Sequence, residues 1–124
     1  MWSAYCEGYT DFYINCENGI PLWSAEIICA LKRYNNIHLH IVVLVPYENQ
    51  CINWSEDLRD RYYSVHKKAD SITFVNTGYQ SDCYNEADEI MVVESDMLIV
   101  FGSKPDKLYA TQYAKNMDIT IRYI

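Results

Sequence analysis

The segment from Phe12 to Glu26 constrains the fold of this chain more than any other. It joins a short apolar stretch, a single glycine at Gly19 and an amphipathic stretch that opens with Pro21. Proline suits the first turn of a helix, because its fixed φ is helical and the N–H that it lacks would have no partner there. The pattern therefore predicts a strand, a tight turn and a helix. In α/β nucleotide-binding folds this is the place that holds a phosphate group.

Strand-like and helix-like segments alternate along the whole chain, which favours a mainly parallel sheet. No break in composition divides the sequence, so we expect a single domain over residues 1–124. The expected fold class is α/β: a three-layer Rossmann-like domain with a mostly parallel sheet of about five strands and helices on both faces. The predicted strands are 9–15, 38–45, 71–75, 97–101 and 119–124, and the predicted helices are 21–34, 55–69, 82–94 and 108–116.

Apolar spacing also predicts which residues form the core. Strands covered on both faces are apolar throughout, so the runs at 41–45 and 97–101 are expected to be central in the sheet. Apolar residues at helical spacing are expected to face inward. The helical residues expected to be buried are Trp23, Ile27, Leu31, Leu58, Tyr62, Val65, Ile90 and Met91.

The net charge of the chain reduces the number of function classes that it can serve. Ten Lys and Arg against 17 Asp and Glu give a net charge of −7, which argues against nucleic-acid binding through a basic face. An acidic domain can dock on a basic partner surface, although the charge can also serve solvation alone. Twelve tyrosines exceed what a core needs, and tyrosine often anchors interfaces. No apolar run has transmembrane length and no signal-peptide pattern opens the chain, so we expect a cytoplasmic protein without membrane contact.

Neither metal nor nucleophilic chemistry is predicted. The five cysteines are odd in number and lack the close spacing of a zinc or redox pair, so they are expected to be free and mostly buried. His38 and His40 alternate on one strand without a third ligand nearby, and His66 is expected to be solvated. No Gly-x-Ser-x-Gly elbow or Walker loop is present. We therefore assign no catalytic residue, no metal and no cofactor.

Some polar residues are candidates for contacts to a ligand. Glu48, Asn49 and Gln50 follow the C-terminal end of a strand, where open α/β sheets place ligands, although loop solvation explains them equally well. Glu26 can orient a ribose or act as a general acid, or it can simply favour the helix dipole. The turn at Gly102 and Ser103 can form a small anion nest or a plain turn. The candidate ligand-binding residues are Gly19, Trp23, Glu26, Glu48, Asn49, Gln50, Gly102 and Ser103.

A set of short motifs, taken in order, resembles a known family. The motifs are Leu22-Trp-Ser-Ala-Glu26, Val45-Pro-Tyr-Glu-Asn-Gln50 with Trp54, Ser95-Asp96 and Leu98-Ile-Val100. Their order and spacing resemble the YpsA-like branch of the SLOG superfamily, whose Rossmann-like proteins are related to the LOG nucleotide hydrolases and to DprA. The resemblance covers nearly the whole chain and implies a fold built around a nucleotide site.

The chain departs from this family where a ligand would bind. The family's Gly-Gly-Ala-x-Gly-x-Asp turn corresponds to residues 15–21, of which only Gly19 is a glycine, and Glu17 places a carboxylate where a phosphate would lie. The family's Arg-Asn pair falls on Ala87 and Asp88. Its Gly-Gly-Thr turn falls near Pro105, which has no N–H to offer a phosphate. The resemblance therefore implies a degenerate nucleotide-binding site.

The family's opening strand, with its Thr-Gly-His-Arg motif, has no counterpart here, and Met1–Glu7 matches at most the tail of the helix after it. We therefore expect an N-terminally truncated domain with one strand edge left to be covered, paired or blunted. A second copy can supply that coverage. We predict a homodimer whose interface includes Tyr5, Tyr9 and Tyr13.

These observations support three hypotheses of function. The first is a non-catalytic YpsA-like protein that acts through protein–protein contacts, by analogy as a mobile-element inhibitor of a host defence system. The second is a binder, sensor or sequestering protein for a nucleotide-derived small molecule. The third is a LOG-type nucleoside-monophosphate hydrolase, which the missing glycine turns disfavour. Taken together, these observations favour a protein that is not an enzyme.

Overall fold

The computed structural model describes residues 2–124 and has the predicted alternation of strands and helices. The helices are α1 (Trp2–Cys6), α2 (Ile20–Asn35), α3 (Glu56–Lys68), α4 (Cys83–Val93) and α5 (Tyr109–Asn116), with a 3₁₀ turn at Pro105–Lys107. The strands are β1 (Asp11–Ile14), β2 (His40–Val45), β3 (Ser71–Phe74), β4 (Met97–Val100) and β5 (Thr120–Tyr123). The chain has a Rossmann-like α/β fold, as predicted.

All strand pairs within residues 2–124 are parallel, but the strands form two sheets. One sheet has the order β1-β2-β3, with Phe12 opposite Ile41, and the other pairs β4 with β5, with Leu98 opposite Ile121. The apolar strand at 41–45 is central, as predicted. The prediction that 97–101 is also central is wrong, because β4 is paired on one side only and its other side faces a cleft.

The main core lies between the central strand β2 and the helices α2 and α3. Ile41, Val43 and Val45 are completely buried there. Leu22 of α2 and Tyr62 of α3 pack into the same cluster. Complete burial of such side chains stabilises a fold by about 1.5–3 kcal/mol each, so this cluster holds the three-stranded sheet and its helices together.

The buried face of α2 is one residue away from the predicted one. Trp23 is 56% exposed, whereas Leu22, Ala25 and Ile28 are buried, so the prediction that Trp23 belongs to the core is wrong. Apolar residues occupy two adjacent rows of this helix, and spacing alone cannot select between them. The prediction that Ile90 belongs to the core is also wrong, because its side chain is 38% exposed. Tyr62 and Val65 are buried as predicted, and the remaining predicted core residues are partly buried: Ile27, Leu31, Leu58 and Met91.

Two further expectations concern single residue types. Four of the five free cysteines are buried, as predicted, and Cys6 is exposed. His66 is half-buried rather than fully solvated: its ring centre lies 4.0 Å from that of Tyr62, and burial lowers its pKa. None of the helices in residues 2–124 combines the length and the apolar character needed to cross a bilayer.

Candidate functional site

A cleft of about 870 Å³ lies between the two sheets. Strand β1 lines one side of it and strand β4 the other, with the start of α2 and parts of α4 and α5 completing the walls. The apolar part of its lining includes Ile14, Ile28, Met91, Leu98 and Leu108. Its volume falls within the range of about 300–1,000 Å³ that is typical of ligand pockets.

The free edges of β1 and β4 border this cleft. The N–H of His40 donates to the carbonyl of Thr10. In a parallel pair, alternate residues of a strand bond to the same neighbour, so the backbone groups of Phe12 also point toward β2. The backbone groups of Tyr13 therefore point toward the cleft. The N–H of Ile124 donates to the carbonyl of Val100, which in the same way leaves the backbone groups of Ile99 on the cleft side of β4. In the described part of the chain no strand pairing joins β1 to β4.

The lining of the cleft is strongly acidic. It contains six carboxylate residues and, within residues 2–124, no lysine, arginine or histidine. One of them, Glu7, is neutralised from outside the cleft by Arg122, whose Nη1 lies 2.7 Å from Glu7 Oε2. The acidic lining residues are Glu7, Asp11, Glu17, Asp88, Glu94 and Asp96. Asp11 Oδ1 lies 3.4 Å from His40 Nδ1. The other four carboxylates have no ion-pair partner in the described residues, so an anionic ligand in this cleft would meet like charges.

Asn15 organises the acids at the C-terminal end of β1. Its Nδ2 donates to Asp88 Oδ1 at 3.2 Å, and its Oδ1 accepts the N–H of Glu17 at 3.0 Å. Burial raises the pKa of Asp88 to about 6, and the nearby Glu17 adds to the rise. Partial desolvation also raises the pKa of Glu17. Asp88 was not among the predicted ligand residues, although it stands where the related family has its Arg-Asn pair.

The turn before α2 is poorly suited to holding a phosphate. Gly19 has φ of +105°, a conformation that side-chain-bearing residues rarely adopt. Pro21 has no N–H, and the N–H of Leu22 already donates to the carbonyl of Glu17 at 3.0 Å. Of the backbone N–H groups that would bind an anion at the start of this helix, one is absent and another already has an acceptor.

The structure places the predicted ligand residues apart. None of the eight is part of the cleft lining in the described chain, although Gly19 is flanked by two lining residues. Glu26 is held on the surface by Arg61, whose Nη2 lies 2.6 Å from its Oε1. Trp23, Glu48, Asn49, Gly102 and Ser103 are exposed, whereas Gln50 is buried and its side-chain amide has no hydrogen-bond partner in residues 2–124. Their role in binding stays a prediction.

The predicted interface tyrosines lie near the cleft. Tyr9 and Tyr13 are part of its lining, and Tyr5 stacks on Trp2 with ring centres 5.7 Å apart. No group of three or more His, Cys, Asp or Glu positioned to hold a metal ion occurs in residues 2–124. The cleft thus offers backbone groups, apolar surface, aromatic rings and carboxylates.

Replacing Asp88 should show how much the charge of this partly buried carboxylate lowers the free energy of unfolding. Its folded pKa is about 6, above the unfolded value of about 3.9, so the folded state binds the proton more tightly and stability falls as pH rises from 4 to 6. Asp88→Asn keeps an oxygen for Asn15 and removes the charge. We expect it to raise the free energy of unfolding by about 1–2 kcal/mol at pH 7.5 and by about zero at pH 4.

Urea unfolding at both pH values measures this effect. Asp60→Asn, on the exposed surface of α3, is the matched control and should change stability little at either pH. Equal stabilisation by Asp88→Asn at pH 4 and pH 7.5 would contradict the assignment of the cost to the charge.

Comparison with known proteins identifies relatives over most of the chain. The family model YpsA, described as the YspA SLOG family, matches residues 1–123. UPF0398 proteins of Staphylococcus aureus strains JH9, JH1 and USA300 are each 30% identical to the chain over 97 residues. Each match covers 76% of this chain and 51% of the relative. The chain thus spans about half the length of the curated relatives that it matches.

Proposed function

Because the chain belongs to the YpsA family of SLOG proteins, we propose that it is a non-catalytic member that acts by binding another protein in the cleft between its two sheets. The observation that carries this proposal is the lining of the cleft, whose described residues include six carboxylates and no lysine, arginine or histidine. Of these six, only Glu7 and Asp11 lie against a basic side chain outside the lining in residues 2–124, Arg122 and His40 respectively. A nucleotide phosphate in such a lining would be repelled. A protein surface with basic residues would be attracted.

The architecture of the cleft supports a macromolecular partner. Its walls combine apolar side chains with the half-buried ring of Tyr13, and aromatic residues of this kind are frequent interface anchors. By analogy with small acidic proteins of mobile elements, the partner can belong to a host defence system, and the protein would then act as its inhibitor.

Site-directed photo-cross-linking tests this proposal. A photoreactive phenylalanine derivative replaces Leu108, a cleft residue that is 49% exposed, and Tyr34, an aromatic residue on α2 that is 80% exposed and outside the cleft, serves as the control position. In lysate of the native host we expect a discrete cross-linked protein from position 108 and none from position 34. No specific adduct at position 108, or equal adducts at both, would contradict the proposal.

A nucleotide-derived small molecule is the second candidate, favoured by the volume of the cleft alone. Thermal-shift screening with nucleotides, ADP-ribose derivatives and cyclic dinucleotides tests it. A ligand at about 100 times its dissociation constant should stabilise the fold by about 2.7 kcal/mol. No stabilisation by any of these compounds would exclude this candidate, and release of free base from a nucleoside monophosphate would instead support a LOG-type hydrolase.

The predicted homodimer would use Tyr9 and Tyr13 of the same cleft, so it is the alternative to a different protein as the occupant, and light scattering tests it. A chain of 14.6 kDa should give about twice that mass at micromolar concentration if Tyr5, Tyr9 and Tyr13 contact a second copy. Tyr9→Ser, in a tyrosine that lines the cleft, should then lower the measured mass, whereas Tyr79→Ser, in an exposed tyrosine outside the cleft lining, should not. A constant monomer mass across the concentration range would contradict the prediction.

A further inference from the structure

We infer that the occupant of the cleft is an extended segment of another protein, apolar along its middle and basic at its ends, which pairs through its backbone with the free edges of β1 and β4. This inference rests on the proposed function and names the partner chemistry of the same cleft. Three properties of the cleft carry it: its two free strand edges, its apolar walls and the position of its carboxylates.

Both β1 and β4 have backbone groups that point away from their paired strand. Asp11 and Tyr13 turn their N–H and C=O groups away from β2, because the intervening residues of this strand bond to β2. On β4, Met97 and Ile99 turn theirs away from β5 for the same reason. Both rows of groups border one cleft. Free strand edges are templates for pairing with another chain, and strand addition is an established mode of peptide recognition.

The apolar part of the cleft walls favours an occupant with apolar side chains. Residues of β1, β4, α2, α4 and α5 contribute to one continuous lining around the two edges. The strand β4 is only partly buried over Met97, Leu98 and Ile99, although its sequence has the unbroken apolar character of a strand covered on both sides. A strand paired with the free edge of β4 would lower the exposure of these side chains.

The carboxylates stand at the ends of the free edges. Asp11 begins β1, Asp96 directly precedes β4, and Glu17 follows the end of β1. A segment of about five residues spans edges of this length, since a strand rises about 3.3 Å per residue. Lysine or arginine just outside those residues would meet the acids. A second copy of this chain is a poorer occupant, because each copy carries a net charge of −7.

The experiment selects ligands from a displayed peptide library with two lysines fixed at each end and five variable positions limited to Val, Ile, Leu, Phe and Thr. A second library replaces the lysines with glutamates. We expect binders from the lysine library only. Their affinity for the unmodified chain, measured by fluorescence anisotropy, should fall at least about tenfold when alternate backbone nitrogens of the peptide are methylated on the side that pairs.

Matched variants of the chain locate the binding edge. Tyr13→Pro removes an N–H that faces the cleft, whereas Tyr13→Ala removes the side chain and keeps that N–H. We expect the proline variant to bind the selected peptides at least about tenfold more weakly than the alanine variant. Ile72→Pro, on the free edge of β3, should bind like the unmodified chain. Circular dichroism establishes that each variant is folded, and the methylated peptides test the same contact if one is not.

Charge variants test the ends of the segment. Asp11→Asn/Asp96→Asn should weaken binding of the lysine peptides about fivefold at low salt and reduce the dependence of affinity on salt. Asp57→Asn/Asp60→Asn, outside the cleft lining on α3, should change neither.

Each outcome decides the inference. It is overturned if no library member binds, if methylated peptides bind as well as unmethylated ones, or if glutamate-ended peptides bind equally well. It is also overturned if a second copy of the chain competes with the peptides for the cleft. If peptides fail while cross-linking at position 108 still captures a protein, the proposed function stands without this occupant. If both fail, the two proposals fall together.

Discussion

Tyr62→Ala is expected to lower the free energy of unfolding by about 4 kcal/mol, because it empties the centre of the main core. Tyr62 is only 2% exposed. The ring of Trp54 stands edge-on to it at 5.4 Å between ring centres, and the ring of His66 lies at 4.0 Å. The truncation leaves a cavity beside these two rings, which neighbouring side chains fill only in part. Urea unfolding at pH 7 measures the loss.

Tyr62→Phe is the matched control for this variant. The Tyr62 hydroxyl is buried and has no hydrogen-bond partner in residues 2–124. Removing it deletes a desolvated polar group and keeps the ring, so the free energy of unfolding should stay within about 1 kcal/mol of the original or rise. A loss of several kcal/mol in the phenylalanine variant would contradict this account of the hydroxyl.

Asp70→Ala is expected to lower the free energy of unfolding by about 3 kcal/mol, because one carboxylate makes two contacts that tie β2 to α2. Asp70 Oδ2 accepts the N–H of Ile41 at 2.8 Å, and Lys32 Nζ lies 2.8 Å from the same oxygen. Ile41 is completely buried, so its N–H would lose its protein acceptor at the edge of the core. The ion pair with Lys32 is partly exposed and contributes less.

The contribution of Asp70 also depends on pH. Lys32 and then the Ile41 N–H hold the pKa of Asp70 below its ordinary value. The stabilisation is therefore present above the unfolded pKa of about 3.9 and is lost as pH falls through the lower folded pKa. Asp70→Asn keeps an acceptor for Ile41 and should cost about 1 kcal/mol at pH 7. Equal losses for the alanine and asparagine variants would show that the charge, not the Ile41 contact, dominates.

The local sequence predicts the elements well because each has its own chemical signal. Serine is a favoured residue directly before a helix, and Ser55 Oγ accepts the N–H of Leu58 at 3.3 Å at the start of α3. Proline has no N–H for a strand ladder, and β2 ends at Val45, directly before Pro46. Such signals act over three or four residues, so they do not depend on what lies elsewhere in the fold.

Contacts between distant elements were predicted less well. The side of β4 that faces the cleft cannot be seen in its sequence, because an apolar run looks the same beside a strand or beside an empty groove. Asp88 was not predicted as a site residue because burial and the nearby Glu17 raise its pKa, and the local sequence shows neither that burial nor the contact with Asn15, 73 residues away in the chain. Trp23 is exposed because the other of the two apolar rows of α2 packs into the core, and the sequence of the helix does not show which row does so.

The separation of the strands into two sheets has a consequence for how the chain unfolds. The main buried cluster draws its residues from 14 to 65, so the three-stranded half has a core of its own. The half formed by β4, β5 and α5 meets it partly through exposed polar contacts such as the pair of Arg122 with Glu7. We therefore expect local opening of that half to cost less free energy than global unfolding. A strand bound in the cleft would couple the opening of the two halves.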